Sequence, residues 1–162
     1  MAADVPRTHV ATGMAGHRAT VAIVHQLPCP AEATWAVVGD WGNQEVGAGF
    51  VERVEISGRE TGATRTLILR SELGGGQVVE RLEEHDDLRM TYRYALVDYG
   101  AAPWAGYSGR FTVAGAGPDR STVLFEAEMV PVGVTAEQAT GLSISNMRAY
   151  FGNLDRILRD RC

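Results

Sequence analysis

Residues 77–111, QVVERLEEHDDLRMTYRYALVDYGAAPWAGYSGRF, decide how this chain folds. Three runs within the stretch alternate between apolar or aromatic residues and polar ones, and alternation with period two predicts β-strands. The second run places Tyr92 and Tyr94 on one face, and the third places Tyr107 on the matching face of the next strand. In the first run Glu80 shares its parity with a valine and a leucine, so we expect its carboxylate to face the interior. A carboxylate inside a sheet requires a partner or a wet cavity.

Composition and charge restrict the class of protein. A chain of 162 residues, 45% of them hydrophobic and 22% charged, is typical of one globular domain. The net charge of −5 argues against a nucleic-acid partner. All fifteen basic residues are arginine, which excludes lysine Schiff-base chemistry and leaves arginine or histidine as the cationic anchor for a ligand.

Cysteine spacing, hydropathy and glycine placement predict that the protein has no metal site, no membrane span and no phosphate-binding motif. Cys29 and Cys162 are too few for a disulfide framework and lack metal-ligand spacing, so we predict no metal. No apolar stretch is long enough to cross a bilayer, which favours a cytoplasmic protein without a membrane partner. The glycines at 74–76 precede a strand rather than a helix, so they do not form a phosphate-binding motif, and no cofactor is expected. The oligomeric state stays open, with a homodimer as one option.

The chain before this stretch predicts a tail, a strand, two short helices and two further strands. Residues 1–18 show no periodicity and are expected to form a mobile tail, so the folded domain spans residues 19–162. Pro30 suits the first turn of a helix, and residues 39–43 interrupt that helix before a second short one. Arg65 shares its strand face with two leucines and is expected to point inward. The strands are predicted over residues 19–27, 50–57 and 64–71.

The chain after this stretch predicts one more strand and a long terminal helix. Residues 121–130 alternate with period two, and the period then changes. Thr135 and Gln138 have the spacing of a capping box, so a helix of about 25 residues is expected to begin near Ala136. Its apolar residues recur at intervals of three and four and form a broad stripe. One helix cannot bury this stripe alone, whereas a curved seven-stranded antiparallel sheet can wrap around it, so the predicted fold class is α+β.

The order of these elements is the helix-grip arrangement, and several motifs support it. They are PAEATW at 30–35, GDWGN at 39–43, GATR at 62–65, ERL at 80–82 and PWAGY at 103–107. With these motifs the chain resembles the START/birch-pollen-allergen superfamily, within its bacterial polyketide cyclase/dehydratase-like group. The resemblance covers residues 19–158, which is nearly the whole chain.

The resemblance implies a large cavity between the sheet and the long helix, which relatives use for lipids, hormones, polyketides and alkaloid precursors. It also implies a mobile gate loop at residues 71–76 and a facing loop at residues 98–104. The polar positions that it places on the cavity wall are Arg65, Glu80, Tyr107 and Asn153.

These expectations define a candidate site for a polyketide-like substrate or another hydrophobic polycarbonyl or polyene. Glu80 would move a proton, while Tyr107 and Arg65 would polarise an oxygen atom of the substrate. His25 or Asn153 would orient that oxygen. The other predicted substrate contacts are Trp35, Tyr92, Tyr94, Trp104, Phe111, Phe125, Asn146, Tyr150 and again Asn153, with Phe151 as a further apolar wall.

Each of these residues also has a plainer interpretation. Glu80 could be an exposed strand residue or the partner of Arg65 in a structural ion pair. The tyrosines could be packed core residues with one satisfied hydroxyl, and His25 could be a core histidine with satisfied hydrogen bonds. Asn146 and Asn153 could lie on the solvent face of the helix.

Three functions are compatible with such a site. The first is an enzyme of natural-product or antibiotic biosynthesis that promotes cyclisation, dehydration or rearrangement by folding its substrate around a few positioned donors. The second is a carrier, sequestering protein or sensor that binds a small hydrophobic ligand unchanged. The third is a structural module whose interior is filled by side chains. Inward arginine, glutamate, histidine and tyrosine favour a hollow interior, because a solid core rarely accepts them.

Overall fold

The computed structural model describes residues 8–47, 50–73 and 75–162. The elements in chain order are β1 Thr8–Ala15, β2 Arg18–Leu27, α1 Ala31–Val38, β3 Val51–Ile56, β4 Thr64–Leu69, a short 3-10 turn at Ser71–Leu73, β5 Gln77–Asp86, β6 Thr91–Asp98, β7 Trp104–Gly115, β8 Ser121–Pro131 and α2 Ala136–Arg159. The eight strands of the described residues form one antiparallel sheet with the order β1-β2-β8-β7-β6-β5-β4-β3. The predicted α+β class is confirmed, and the three runs of residues 77–111 are neighbouring strands.

Strand β1 is the main difference from the predicted fold, which had seven strands and a mobile tail over residues 1–18. Thr8–Ala15 pairs with β2 along its whole length, from Thr8 opposite His25 to Ala15 opposite Arg18. The tail prediction is therefore wrong for these residues, and residues 1–7 lie outside the described residues. Nearly all side chains of β1 are exposed, so its sequence carries no alternation that could have predicted a strand.

The second short helix predicted before Gly47 is also wrong. The described residues after α1 form turns, in which side chains bond to nearby backbone groups. The Asp40 carboxylate accepts a hydrogen bond from the amide of Gly42 at 3.1 Å, and Asn43 Oδ1 accepts one from the amide of Glu45 at 2.9 Å. Such local bonds from Asp and Asn compete with helix formation, which explains why no helix forms in this segment.

The capping box predicted at the start of α2 is confirmed. Thr135 Oγ1 accepts a hydrogen bond from the amide of Gln138 at 3.1 Å, and Gln138 Oε1 accepts one from the amide of Thr135 at 3.0 Å. The two bonds satisfy amides that have no partner within the helix, and they fix where it begins. From there α2 continues for 24 residues across the inner face of the sheet.

A disulfide between Cys29 and Cys162 joins the turn after β2 to the residues that follow α2. Their Cα atoms are 5.6 Å apart, which is an ordinary separation for a disulfide. The sequence did not predict this link, because two cysteines separated by 133 residues carry no spacing signal.

The packed core lies where the C-terminal half of α2 meets β2 and β8. Leu154 and Leu158 from the helix are fully buried there with Phe125 from β8. The N-terminal half of the helix carries Ser143 and Ser145 on the side that faces β4 to β7. They line a cavity there together with larger side chains of the same half, so the interior is solid beside the C-terminal half of α2 and hollow beside the N-terminal half.

Candidate functional site

A cavity of about 420 Å³ lies between the N-terminal half of α2 and strands β4 to β7. This volume is in the range of pockets that enclose small-molecule ligands. The interior is therefore not filled by side chains, as the hypothesis of a purely structural module had required, and that hypothesis is rejected. Most of the wall is apolar. The polar groups on it come from Arg65, Gln77, Glu80, Ser143, Ser145 and Asn146, and from Tyr92, Tyr94, Tyr107 and Tyr150.

Both loops that the family resemblance implied reach this cavity. Gly75 contributes from residues 71–76, and residues 101–103 contribute from the facing loop at 98–104. Position 74 lies outside the described residues. The two loops stand at the side of the cavity away from the packed core, so the ligand space is bounded by loops at one end and by core residues at the other.

A buried ion pair between Arg65 and Glu80 is the charged feature of the wall. The two residues are directly opposite each other on β4 and β5, so neighbouring strands present both side chains to the same face. Arg65 Nε donates a hydrogen bond to Glu80 Oε2 at 2.6 Å, and Glu80 is only 5% exposed. The prediction that both residues face inward is confirmed, and so is their pairing, one of the two plainer interpretations.

Trp41 completes the environment of the Arg65 guanidinium. Its backbone carbonyl accepts a hydrogen bond from a terminal nitrogen of Arg65 at 3.1 Å. Its indole ring lies 3.9 Å from the guanidinium carbon, a cation–π contact. Burial alone would lower the pKa of Arg65, but the Glu80 carboxylate and the neighbouring tyrosines outweigh this effect and raise it above its ordinary value. The guanidinium is therefore charged at every accessible pH and is held on several sides by the protein itself.

A pair of phenols faces the cavity next to this ion pair. Tyr107 Oη lies 3.0 Å from Ser143 Oγ on α2, and the rings of Tyr94 and Tyr107 are 6.3 Å apart. Burial raises the pKa of Tyr107 to about 12, although hydrogen bonds with Ser143 and Tyr94 oppose the rise. Burial also raises the pKa of Tyr94 well above its ordinary value. Both hydroxyls stay protonated at neutral pH and can donate hydrogen bonds to a ligand oxygen.

Gly109 allows Tyr94 to take up this position. The two residues are cross-strand partners on β6 and β7. A Cβ atom at Gly109 would lie 2.6 Å from the Cζ atom of Tyr94, which is closer than real side chains approach. The absence of a side chain on β7 therefore gives the Tyr94 ring room to lie against the strand.

The predicted site residues divide into those that line the cavity and those that do not. Tyr92 and Tyr150 line it, and burial is the main cause that raises the pKa of each phenol. Phe111 lies 5.0 Å from Tyr150 and closes the cavity toward the packed core. Their roles in binding or catalysis remain predictions. The lining members of the predicted set are Arg65, Glu80, Tyr92, Tyr94, Trp104, Tyr107, Phe111, Asn146 and Tyr150.

His25 does not reach the cavity, contrary to the prediction. One ring nitrogen lies 2.6 Å from Thr8 Oγ1 and the other lies 2.7 Å from Asp155 Oδ1. The ring stacks on Phe151 at 4.6 Å, so Phe151 is occupied there and is not a cavity wall. The plainer interpretation of His25 is correct, because it connects β1, β2 and α2 within the packed core.

Three more predicted contacts lie away from the cavity. Trp35 donates its indole N–H to Asp87 at 2.9 Å. Phe125 is fully buried behind Phe111, with 4.9 Å between ring centres. The last of them is Asn153, which donates to the backbone carbonyl of Val46 at 3.2 Å instead of to a ligand. Parity and helical spacing predicted which face these residues occupy, but not how far along the sheet or helix the cavity extends.

Sequence reasoning missed Ser143 and Trp41, which bond to Tyr107 and Arg65 respectively. A signal for Ser143 was present, because Ser143, Asn146 and Tyr150 recur at intervals of three and four and therefore share one helix face. No comparable signal existed for Trp41. It contacts Arg65 through its backbone carbonyl and its indole ring, and it lies in a loop whose path the sequence does not specify.

The described residues contain neither a helix that could span a membrane nor a group of metal-ligating side chains. No helix in these ranges is long and apolar enough to span a membrane. In the same ranges, no three histidine, cysteine or acidic residues are grouped as metal ligands would be.

One sheet that holds a long helix across its inner face, with a ligand-sized cavity between them, defines a helix-grip ligand-binding domain. The chain belongs to the family described as polyketide cyclase / dehydrase and lipid transport, whose family model matches residues 18–158. The membership confirms the resemblance inferred from the sequence motifs. No curated protein matches this sequence.

Solved structures share this fold at low sequence identity. An uncharacterised protein from Bacillus thuringiensis is 19% identical with a TM-score of 0.75, over 85% of this chain and 97% of that one. The protein XoxI from Bacillus cereus is 19% identical with a TM-score of 0.77, over 87% and 96%. The Zhui aromatase/cyclase from Streptomyces is 16% identical with a TM-score of 0.70, over 86% and 95%. Identities this low show a common fold and nothing more specific.

Proposed function

We propose that this protein is a cofactor-independent cyclase or dehydratase that acts on a polyketide-like polycarbonyl intermediate of natural-product biosynthesis. The observation that carries the proposal is the cavity wall, where a carboxylate, a guanidinium and protonated phenols face one mostly apolar space. Membership of the polyketide cyclase / dehydrase family supports it. These are the groups that proton transfer between carbon and oxygen requires.

In this proposal Glu80 acts as the general base. Its carboxylate removes a proton from a carbon that lies between two carbonyl groups, which leaves an enolate. Arg65 and the Tyr107 hydroxyl donate hydrogen bonds to the oxygens on which negative charge develops. The enolate carbon then attacks a second carbonyl of the folded chain and forms the ring bond. Glu80 returns its proton to the new alkoxide. In a dehydration, Glu80 then removes a proton from the neighbouring carbon, hydroxide leaves the ring carbon as the double bond forms, and the proton on Glu80 joins the hydroxide as water.

The substitution Glu80→Gln tests this mechanism, because it removes the base and keeps the shape of the side chain. With a synthetic poly-β-ketone, we expect turnover to fall by about a hundredfold or more, while the affinity for the uncharged substrate changes little. Products are identified by liquid chromatography with mass spectrometry, against protein-free buffer. Glu83→Gln is the matched control, since Glu83 pairs with Arg81 on the outer side of the same strand. Undiminished turnover by Glu80→Gln removes Glu80 from the mechanism.

A carrier or sensor of a hydrophobic ligand is the second candidate. The apolar character of most of the wall favours it, and lipid transport forms part of the description of the family. The two candidates differ in what is recovered after incubation. A carrier returns the ligand with its mass and structure unchanged and gives no rate above that of buffer.

A further inference from the structure

We propose that the cavity selects electrically neutral ligands that carry carbonyl or hydroxyl oxygens, and that it rejects carboxylates and amines of the same shape. This inference rests on the proposed function only in taking the cavity as the ligand site. It does not require that the ligand is transformed.

The charges on the cavity wall cancel each other. Among the described residues that line the cavity, Arg65 and Glu80 are the only charged ones, one of each sign. They lie within 2.6 Å of each other and neutralise each other. A ligand that enters therefore meets a wall with no net charge, and an ion would leave water without finding an opposite charge that is available to it.

Groups of the protein itself already contact the guanidinium of Arg65. Its Nε atom is bonded to Glu80, one terminal nitrogen is bonded to the carbonyl of Trp41, and the flat face of the guanidinium lies on the indole ring. A ligand carboxylate that displaced Glu80 from Arg65 would leave the Glu80 carboxylate buried without a partner, and one that bound the terminal nitrogens beside Glu80 would place two negative charges on one guanidinium. An ammonium ligand that recruited Glu80 would leave Arg65 in the same situation. The ion pair excludes both kinds of charge.

The other polar groups on the wall are uncharged and can form hydrogen bonds with an uncharged ligand oxygen. Tyr94, Tyr107 and Ser143 carry hydroxyls, and Gln77 and Asn146 carry amides. Hydroxyls and amides can each donate and accept hydrogen bonds. They can therefore match ketones, phenols and alcohols along an extended ring system without any ion in the ligand.

Three naphthalene ligands of matched shape test this selectivity by isothermal titration calorimetry at neutral pH. They are 2-naphthalenemethanol, which is neutral, 2-naphthoate, which is an anion, and 2-naphthylmethylammonium, which is a cation. We expect the wild-type protein to bind the alcohol at least about tenfold more tightly than either ion. This order of affinities needs no variant. Equal or tighter binding of the naphthoate overturns the inference, and so does the absence of binding by all three ligands.

The substitution Glu80→Gln gives a sharper test, because it releases the charge of Arg65. We expect the affinity for naphthoate to rise by about tenfold or more, while the affinity for the alcohol stays within about threefold. The gain should disappear in the double variant Arg65→Met/Glu80→Gln, which has neither charge. Glu83→Gln changes the net charge of the protein by the same amount on the outer side of the strand and should leave all three affinities unchanged. If Glu80→Gln folds but gains no affinity for naphthoate, the ion pair does not determine selectivity.

These results are separate from those that test the proposed function. If the protein prefers the alcohol to both ions but does not turn over a poly-β-ketone, the proposed selectivity is supported and the proposed enzymatic activity is rejected. If the protein turns over the poly-β-ketone but binds alcohol and carboxylate equally, the proposed enzymatic activity is supported and the proposed selectivity is rejected.

Discussion

The substitution Arg65→Met removes one half of the buried ion pair and leaves the carboxylate of Glu80 without its partner. The exposed fractions of the two side chains are 13% and 7%, so bulk solvent compensates little for the lost contact. The variant loses the 2.6 Å bond to Glu80, the 3.1 Å bond to the Trp41 carbonyl and the cation–π contact. Breaking one side of a buried pair costs about 3 to 5 kcal/mol, and we expect the free energy of unfolding to fall by that amount.

A loss of this size is a large share of the total, since domains unfold with about 5 to 15 kcal/mol. For a domain of this length each kcal/mol shifts the melting temperature by about 2 to 4 °C, so the variant should melt about 6 to 20 °C lower. Urea unfolding followed by circular dichroism measures the change. The control is Arg53→Met, because Arg53 pairs with Glu55 at 2.8 Å on the surface, where both side chains are more than half exposed. It should cost less than about 1 kcal/mol.

The double variant Arg65→Met/Glu80→Gln identifies the cause of the loss. Glutamine removes the unpaired charge and keeps the shape of the side chain, so the double variant should be more stable than Arg65→Met by about 1 kcal/mol or more. Equal stability of the two would refute the reasoning. The loss would then come from the packing of the arginine stem against its neighbours and not from a carboxylate stranded in the wall.

Two further predictions concern the phenols. Stability should fall as pH rises above about 10, because unfolded tyrosines release protons near their ordinary pKa of 10 while burial keeps Tyr107 protonated to about 12. Tyr107→Phe should make that fall shallower in urea titrations across this pH window, and an unchanged slope would assign it to other groups. Gly109→Ala should lower stability by about 1 to 3 kcal/mol, since the added Cβ would lie 2.6 Å from Tyr94. Gly141→Ala is its control, because that helical position is open and alanine should stabilise it; similar losses for both would contradict the steric argument.

Much of the fold was predictable because the strands that bury one face must alternate. The runs around Glu80, Tyr94 and Tyr107 have a definite inner face, and the pairing of β5, β6 and β7 follows from it. The capping box predicted the start of α2 for an equally local reason. Strand β1 has no buried face. Apart from the bond between Thr8 and His25, its pairing with β2 depends on backbone hydrogen bonds, which every sequence can make, and so the alternation of side chains in Thr8–Ala15 could not reveal it.

The site was predictable in its orientation and less so in its extent. Period two places Phe111 and Phe125 on the same inner face, yet only Phe111 touches the cavity. The difference arises from where α2 approaches the sheet. Ser143 and Ser145 line the cavity, whereas Leu154 and Leu158 are buried in the packed core. This boundary is a property of helix and sheet together, so the pattern of either one alone does not contain it.

The contribution of the Arg65–Glu80 ion pair to stability does not by itself explain why it lies in the cavity wall. A buried ion pair is weak evidence for stability, because an apolar pair of similar volume is often as stable or more so. The packed core beside β2 and β8 is mostly apolar, and the bond between His25 and the Asp155 carboxylate joins the sheet to the helix there. Arg65 and Glu80 instead lie in the wall of the hollow half, where each is bonded to the other and both face the ligand space. An apolar pair of similar volume could hold this part of the fold as well, so we propose that the charged pair acts on the ligand, to which it offers polar contacts without a net charge.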